Sequence, residues 1–478
     1  MDRRYTIICQ CCRVNNSPSS SAESRDSCPT TERLVDKIMA FRDVALSADT
    51  LEKARIFLAD TLAVGVAGRC EAVSDKVFSA AQGWSANGEG DVRILGRPDV
   101  RLSPHAAAVV NGTQIHCLEW DALHEPSVVI ALCTTTAALI SETETSDISL
   151  DETLRALVLG VETAVFFGAG SQTHPRFFRP STAGLMGASV ALAYLRKFTR
   201  TQMFDLLGLA YSQVSGTMQA HWEGSEVLPL QIGIAARAAL TAADLAAAGI
   251  CAPHDIIDGK FGYFSLIETA SNLDAQFAQW AAPWKIEEVA HKPFPAGRAT
   301  QATLTALIDL AAQNSFGMDD ISSIKVHVPP LIMLLVGREY NPNMSAAYAR
   351  LCMQFIAPMM IRDGRIDPRL FTSDHMASAQ AEADAAKVRC TLDGNPDPNA
   401  LSPQTIEIAL NDGQVITQFV DIPYGSPGRP MDRADQIAKA DFCFETAGYR
   451  GNAHALFEAI FAVSENISMR DVLDCVTN

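Results

Sequence analysis

Between His116 and His124 the chain sets two imidazoles and two carboxylates into nine positions: His116, Glu119, Asp121 and His124, with Trp120 among them. The surrounding sequence is apolar and rich in alanine. A buried carboxylate is costly unless it is paired or hydrogen-bonded. Such a cluster therefore either lines a cleft, where its acid–base groups move protons, or closes a polar network between helices. His116, Trp120 and His124 recur every fourth residue, so a helical segment would put all three on one face.

Three further segments place charge where an anion could be held. His291-Lys292-Pro293-Phe294-Pro295-Ala296-Gly297-Arg298 is a loop stiffened by two prolines just before a predicted helix. It either turns Lys292 and Arg298 toward an anion, aided by free backbone amides, or forms a basic linker facing solvent. Arg338-Glu339-Tyr340-Asn341-Pro342 reads as a turn after an apolar run, with Tyr340 a proton donor or a surface aromatic. Arg176-Phe177-Phe178-Arg179-Pro180-Ser181 opens a helix, with Arg179 a candidate anion clamp and Ser181 a candidate N-cap.

The elements that must position these residues fall into two textures. From Pro29 to Thr269 the periodicity is helical. Ser47-Ala48-Asp49-Thr50 caps a predicted helix over Leu51–Gly68 that Gly68 stops, and Ser103-Pro104 opens another. Further helices are predicted at Ser149–Phe167, Ser181–Leu195, Thr201–Met218 and Gln231–Ala248. After Ala290 strands are predicted at Ile321–Val328, Lys387–Thr391, Thr405–Leu410 and Val415–Val420, the last two joined by a hairpin at Asn411-Asp412-Gly413. Helices at Ala299–Gln313, Met344–Ile356 and Ser373–Ala386 intervene, and helix returns at Arg433–Phe442 and Ala453–Ala462. The expected fold is α plus α+β: a large all-helical domain formed by both chain ends, with an inserted α+β lid domain. Its expected bounds are a disordered leader at 1–30, helical domain over 31–285, lid over 286–425 and the helical domain's C-terminal part over 426–478.

Composition narrows the function. The 478 residues are 48% hydrophobic and 19% charged, ordinary for a globular protein. A net charge of −17 without a compact basic stripe argues against a nucleic-acid partner. The apolar run Ala235–Ile250 is interrupted by Arg237 and Asp244 and is shorter than a bilayer span, so no membrane partner is expected. Of twelve cysteines, Cys9, Cys11, Cys12 and Cys28 lie in the first 28 residues and the rest are scattered singly, the usage of reduced thiols in a cytoplasmic protein. Cys9-Gln10-Cys11-Cys12 has no second pair at zinc-site spacing, and neither a P-loop nor Gly-x-Gly-x-x-Gly follows a strand. Neither a metal nor a cofactor is expected.

Several motifs, in order, resemble the MmgE/PrpD family, whose members include dehydratases, decarboxylases and an iminodisuccinate epimerase. They are Ala59-Asp60-Thr61-Leu62-Ala63-Val64-Gly65-Val66-Ala67-Gly68, Asn111-Gly112-Thr113 with His116, Gly259-Lys260-Phe261-Gly262-Tyr263-Phe264, and Lys292-Pro293-Phe294-Pro295 with Arg298. The resemblance implies a cleft between a helical domain and an inserted lid, a homodimer, and a small di- or tricarboxylate as substrate. It also exposes departures. Glu119-Trp120-Asp121-Ala122-Leu123-His124 replaces the family's Asp-Phe-Asp-Asp-Thr-His, Ile130 stands in place of a second histidine, Phe178-Arg179-Pro180 replaces Phe-His-Pro, and Leu228 replaces a lysine. Losing these groups strikes hardest at a lyase, so epimerisation next to a carboxylate is the expected reaction. In that scheme His124 and either Lys292 or Tyr340 are the two bases, and Asp121 orients His124. Arg298 and Arg179 bind carboxylates, with Glu119 and His116 completing the substrate site. A dehydratase- or decarboxylase-like lyase and a non-catalytic carboxylate-binding protein are the alternatives.

Overall fold

Glycines at helix crossings set how closely the N-terminal helices approach. The computed structural model describes residues 28–85, 90–268, 270–397, 400–462 and 467–477. Its first ten helices are Pro29–Ala40 (α1), Ala48–Ala67 (α2), Ala72–Gln82 (α3), Pro104–His116 (α4), Ala131–Thr145 (α5), Leu150–Ala169 (α6), Arg179–Leu195 (α7), Arg200–Tyr211 (α8), Gln219–Glu223 (α9) and Val227–Ala247 (α10). Helix α10 crosses α4 and α7, and α7 in turn packs on α5 and α6. A Cβ on Gly112 would fall 2.8 Å from the Gly233 Cα, and one on Gly233 would fall 2.2 Å from the Val109 carbonyl oxygen. The neighbouring Asn111 accepts from the Leu95 amide (3.0 Å) and donates to the Arg93 carbonyl (3.1 Å). It thereby pins β1 (Val92–Ile94) and its antiparallel partner β2 (Arg97–Leu102), a hairpin that the sequence reading missed, to the bundle.

Several expected ends move. The leader lies outside the described residues up to 27, and Pro29 already begins α1. Ser47 caps α2 as anticipated, but Gly68 is right-handed (φ −62°) and continues into a short 3-10 turn. Close approach explains this glycine, since a Cβ would meet the Gln114 carbonyl oxygen at 1.8 Å. Helix α7 begins at Arg179 with Phe178 as N-cap, so Ser181 is no cap; its hydroxyl donates to the Ser215 and Gln231 carbonyls. The segment predicted as one helix to Met218 stops at Tyr211, and a separate short α9 follows. Helix α10 is longer than the apolar run suggested and is long and apolar enough to cross a membrane, yet most of it is buried in the bundle.

In the second half a four-stranded sheet has the order β4-β3-β5-β6. Its strands are β3 (Ile321–Val328), β4 (Val388–Leu392), β5 (Gln404–Leu410) and β6 (Val415–Val420). β3 and β4 are parallel, while β5 is antiparallel to both β3 and β6. Burial alternates strictly along the inner part of β5, and helices Gln301–Asn314 and Met353–Asp363 contact the sheet. The predicted Met344–Ile356 helix is instead Ala346–Ala349 plus Met353–Asp363, and Ser373–Ala386 is two short helices. The chain then returns to the bundle. Helix Arg433–Ala447 packs on α2, where Lys439 reaches Asp60 at 2.7 Å, and the unanticipated helix Met469–Thr477 receives the Gly96 amide on the Val476 carbonyl (2.8 Å).

Because backbone rather than a movable side chain faces Gly112, Gly112→Ala should cost about 1–3 kcal/mol, as overpacking does elsewhere. Chemical denaturation of this variant beside Gly83→Ala, whose Cβ has 3.4 Å of room, checks it. Equal stability of the two would refute the crossing argument.

Candidate active site

Helix α4 ends at His116, and the next fourteen residues are a loop rather than more helix, so His116, Trp120 and His124 share no face. Glu119 adopts φ +53° and Val128 φ +55°, conformations that cost a non-glycine residue roughly 1–2 kcal/mol. The turn at Glu119 aims its carboxylate inward. Lys292 Nζ lies 3.1 Å from Glu119 Oε2 and 3.5 Å from Asp121 Oδ1. His116 Nδ1 donates to Asp121 Oδ2 (2.9 Å), while its Nε2 faces Glu119 Oε1 at 3.4 Å without forming a hydrogen bond. All four side chains are buried. The acidic cluster and the proline-stiffened loop thus meet as the sequence suggested.

Burial and pairing oppose each other at every member of this quartet. Burial disfavours the charged ammonium of Lys292, but Glu119 and Asp121 outweigh it and hold its pKa above the ordinary value. Burial likewise pulls the His116 imidazole down, and Asp121 and Glu119 bring it above its usual value. Burial pushes Asp121 up, yet His116 and Lys292 draw it to about 2. Glu119, also raised by burial, is drawn below its ordinary value by Lys292 and His116. Two cations and two carboxylates therefore neutralise one another.

The expected partner of Asp121 is corrected: it orients His116, not His124. Leu123 pairs with Ala290 in a two-stranded bridge, so the backbone is extended there and successive side chains point oppositely. Leu123 enters the cleft beside Lys292; His124 enters a neighbouring groove with Glu125, Lys285 and Glu288. The Ser127 amide donates to His124 Nδ1 (3.3 Å), leaving Nε2–H for Glu288 Oε2 (3.0 Å). Burial holds this ring below its ordinary pKa despite Glu288.

The cleft that Lys292 lines, with about 660 Å³ of free space including its mouth, lies between bundle and lid. The bundle lines it with Glu119, Ile130, Phe178, His221 and Lys292, and the lid with Val336, Leu351 and Leu401. Arg179 and Arg298 also border it, but neither guanidinium is free as an anion clamp. Arg179 meets Glu268 (3.1 Å), the Ser171 hydroxyl (2.7 Å), and the Thr173 and Ser127 carbonyls. Arg298 meets Glu125 (2.8 Å), the His291 and Tyr424 carbonyls and Ser426. Tyr340 is absent from the cleft lining; its hydroxyl donates to the Met376 carbonyl within the lid. His221 went unnoticed in the sequence, where a lone histidine carries no spacing signal. Its neighbour in space is Arg338, two residues from the tyrosine that the turn motif drew attention to.

Asp121→Asn should remove the principal partner of the buried imidazolium. The His116 titration midpoint, followed by NMR, should fall, and stability near pH 6 should drop by about 3–5 kcal/mol. The pH dependence has a fixed sign. His116, raised in the fold, stabilises fully below the model-peptide value of 6.5 and less as pH climbs through its folded value. Asp121 contributes above 3.8, and that contribution is lost as pH falls toward about 2. An unmoved His116 midpoint in the variant would contradict the pairing.

Comparison with known proteins fits this architecture. Residues 32–276 match the MmgE/PrpD N-terminal domain and residues 294–460 the MmgE/PrpD C-terminal domain. The chain is 26% identical to cis-aconitate decarboxylase of Homo sapiens over 470 residues, covering 93% of this chain and 92% of that protein. It is 27% identical to the Mus musculus protein of the same name over 477 residues, covering 93% and 91%. Against that of Aspergillus terreus it is 24% identical over 408 residues, covering 80% and 82%. The chain belongs to the MmgE/PrpD family.

Proposed function

We propose that this protein is a lyase that removes one carboxylate, as carbon dioxide, from a small unsaturated polycarboxylate such as cis-aconitate. The observation that carries the reading is a buried ammonium, Lys292, held between two carboxylates on the wall of a largely apolar cleft. The curated relatives named as cis-aconitate decarboxylases support the same substrate class.

Decarboxylation breaks a carbon–carbon bond and leaves its electron pair on the carbon that lost carbon dioxide. That carbon needs one proton, and no hydroxyl must be expelled. Among the cations bordering the cleft, an arginine holds its proton too tightly to serve, whereas a lysine can release one. Lys292 Nζ–H gives its proton to the carbanion and becomes a neutral amine. Glu119, with one oxygen toward Lys292 and the other toward His116 Nε2, provides a route to replace that proton. The apolar walls keep the cleft in a low dielectric, where a fixed positive charge stabilises the developing anion most.

Ile130 favours a second reading. It lines the cleft where the resemblance places a histidine in lyases of the family. In that reading Lys292 exchanges a proton on one face of the carbon next to a carboxylate and a second group exchanges one on the opposite face, which inverts that carbon: epimerisation.

Proton NMR in deuterium oxide with cis-aconitate, citrate, 2-methylcitrate and iminodisuccinate separates these reactions. The expected result is loss of carbon dioxide from cis-aconitate with one deuterium placed on carbon. Lys292→Met should lower kcat at least about 100-fold, the usual contribution of general acid–base catalysis. Deuterium entry without loss of carbon dioxide would replace decarboxylation by epimerisation, and an unaltered panel would refute both.

A further inference from the structure

The cleft that Lys292 lines is also lined by His221, carried on the short helix α9. Phe177 pairs with Thr217, and the Met218 amide donates to the Arg176 carbonyl (3.1 Å), which fixes where α9 starts. Gly224 ends it at φ +66°, close enough to the lid that a Cβ would lie 2.5 Å from the Tyr348 Cβ. Arg338, from the lid, grips the helix. Its Nη2 donates to His221 Nδ1 (3.3 Å) and to the His221 carbonyl (3.1 Å), and its guanidinium lies over the Tyr348 ring at 4.6 Å.

Two features of this pair have no use within the fold. Arg338 has no carboxylate partner among the described residues, and its Nη1 is buried without a hydrogen bond. His221, itself buried, has one nitrogen engaged by Arg338, and no described residue takes Nε2. Nη2 also reaches the Leu335 carbonyl (3.3 Å); because a guanidinium only donates, its contact with Nδ1 favours that nitrogen as the acceptor and the ring proton on Nε2. Burial, reinforced by Arg338, keeps the ring uncharged, with its pKa lowered to about 4; Glu119 opposes this weakly.

We propose that His221, its tautomer fixed by Arg338, presents Nε2–H to the substrate carboxylate oxygen on which negative charge gathers when the carbanion forms. An uncharged imidazole donor suits this task, since it strengthens its bond as charge develops without itself giving up the proton. Lys292 then supplies the proton while His221, in the same cleft, holds the oxyanion. The substrate class follows from the chemistry: an unsaturated polycarboxylate in which a second carboxylate, conjugated through the double bond, stays behind to take up the charge of the carbanion. The inference rests on the reading of the cleft as a polycarboxylate site, and it makes His221 a second catalytic residue and Arg338 its positioning residue.

Histidine-selective 15N NMR on the full chain at pH 7 tests it, with the His221 signal assigned by its loss in His221→Gln. The expected spectrum shows the Nε2–H tautomer, and cis-aconitate or another member of the panel shifts that proton. In Arg338→Met the tautomer preference should relax and the ring should titrate nearer 6.5. His221→Phe should weaken binding or lower kcat by about 10- to 100-fold, the worth of a hydrogen bond to a charged group, and His221→Gln should recover most of it. An imidazolium or an Nδ1–H tautomer at pH 7, or a resonance that no panel member moves, overturns the donor role. If the resonance moves but no compound is consumed, the donor role stands and the proposed reaction falls.

Discussion

Lys292 cannot be buried alone. An isolated ammonium in an apolar interior would give up its proton rather than bear the desolvation cost. With 1% of its surface exposed, it keeps its charge because Glu119 and Asp121 approach from one side. Those two carboxylates are then in excess, and His116 supplies the second cation. Everything local follows from this requirement. Helix α4 must end where its last residue can meet Asp121, the chain must turn through a left-handed Glu119, and the loop before the lid must run alongside. Gln301 secures that loop by donating to the Phe294 and Ala296 carbonyls and accepting from the Phe294 amide.

The same accounting explains why two arginines on the cleft wall serve as struts. Arg179 joins the start of α7 to Glu268 and to the 171–173 turn. Arg298 joins Glu125 to carbonyls at 291 and 424, which bridges the loop after α4, the loop before the lid, and the chain leaving the lid. A planar guanidinium with five fixed donors suits a junction of several backbone carbonyls, which a lysine could not satisfy in one geometry. Position near a cleft is therefore a poor guide to whether an arginine binds substrate; its unfilled donors decide.

Much of the architecture was legible in the sequence because it is written in local patterns. The strands Ile321–Val328 and Val415–Val420 stand where alternation put them, and Gly413 turns the hairpin at φ +92°. Serines at 47 and 149 cap their helices as their chemistry suggests. The β1–β2 hairpin was missed because three residues of β1 carry too little alternation to register. The site was half legible. Charge clustered at 116–124 and 292 does point to the four side chains that the fold brings together, Lys292, Glu119, Asp121 and His116. What spacing could not convey is that the loop becomes extended at the Leu123–Ala290 bridge, sending His124 into the neighbouring groove. His221 and Arg338 lie 117 residues apart and meet only across the bundle–lid boundary, a contact no local window contains.

Charge balance also bears on what the cleft accepts. Lys292 and His116 are neutralised by Glu119 and Asp121, Arg179 by Glu268, and Arg298 by Glu125. Of the basic side chains at this site, Arg338 alone lacks an ion pair among the described residues, and burial lowers its pKa as expected for a desolvated cation. A protein carrying a net charge of −17 repels anions at long range, so an anionic ligand would depend on a short-range surplus of this kind. On the proposed reading a carboxylate beside His221 would feel that surplus through the imidazole, since Arg338 grips His221 without itself lining the cleft, and would compete with Glu119 for Lys292. Preference for an anion would, on that reading, come from an unpaired cation just behind the wall, reached through His221, rather than from a dedicated arginine clamp.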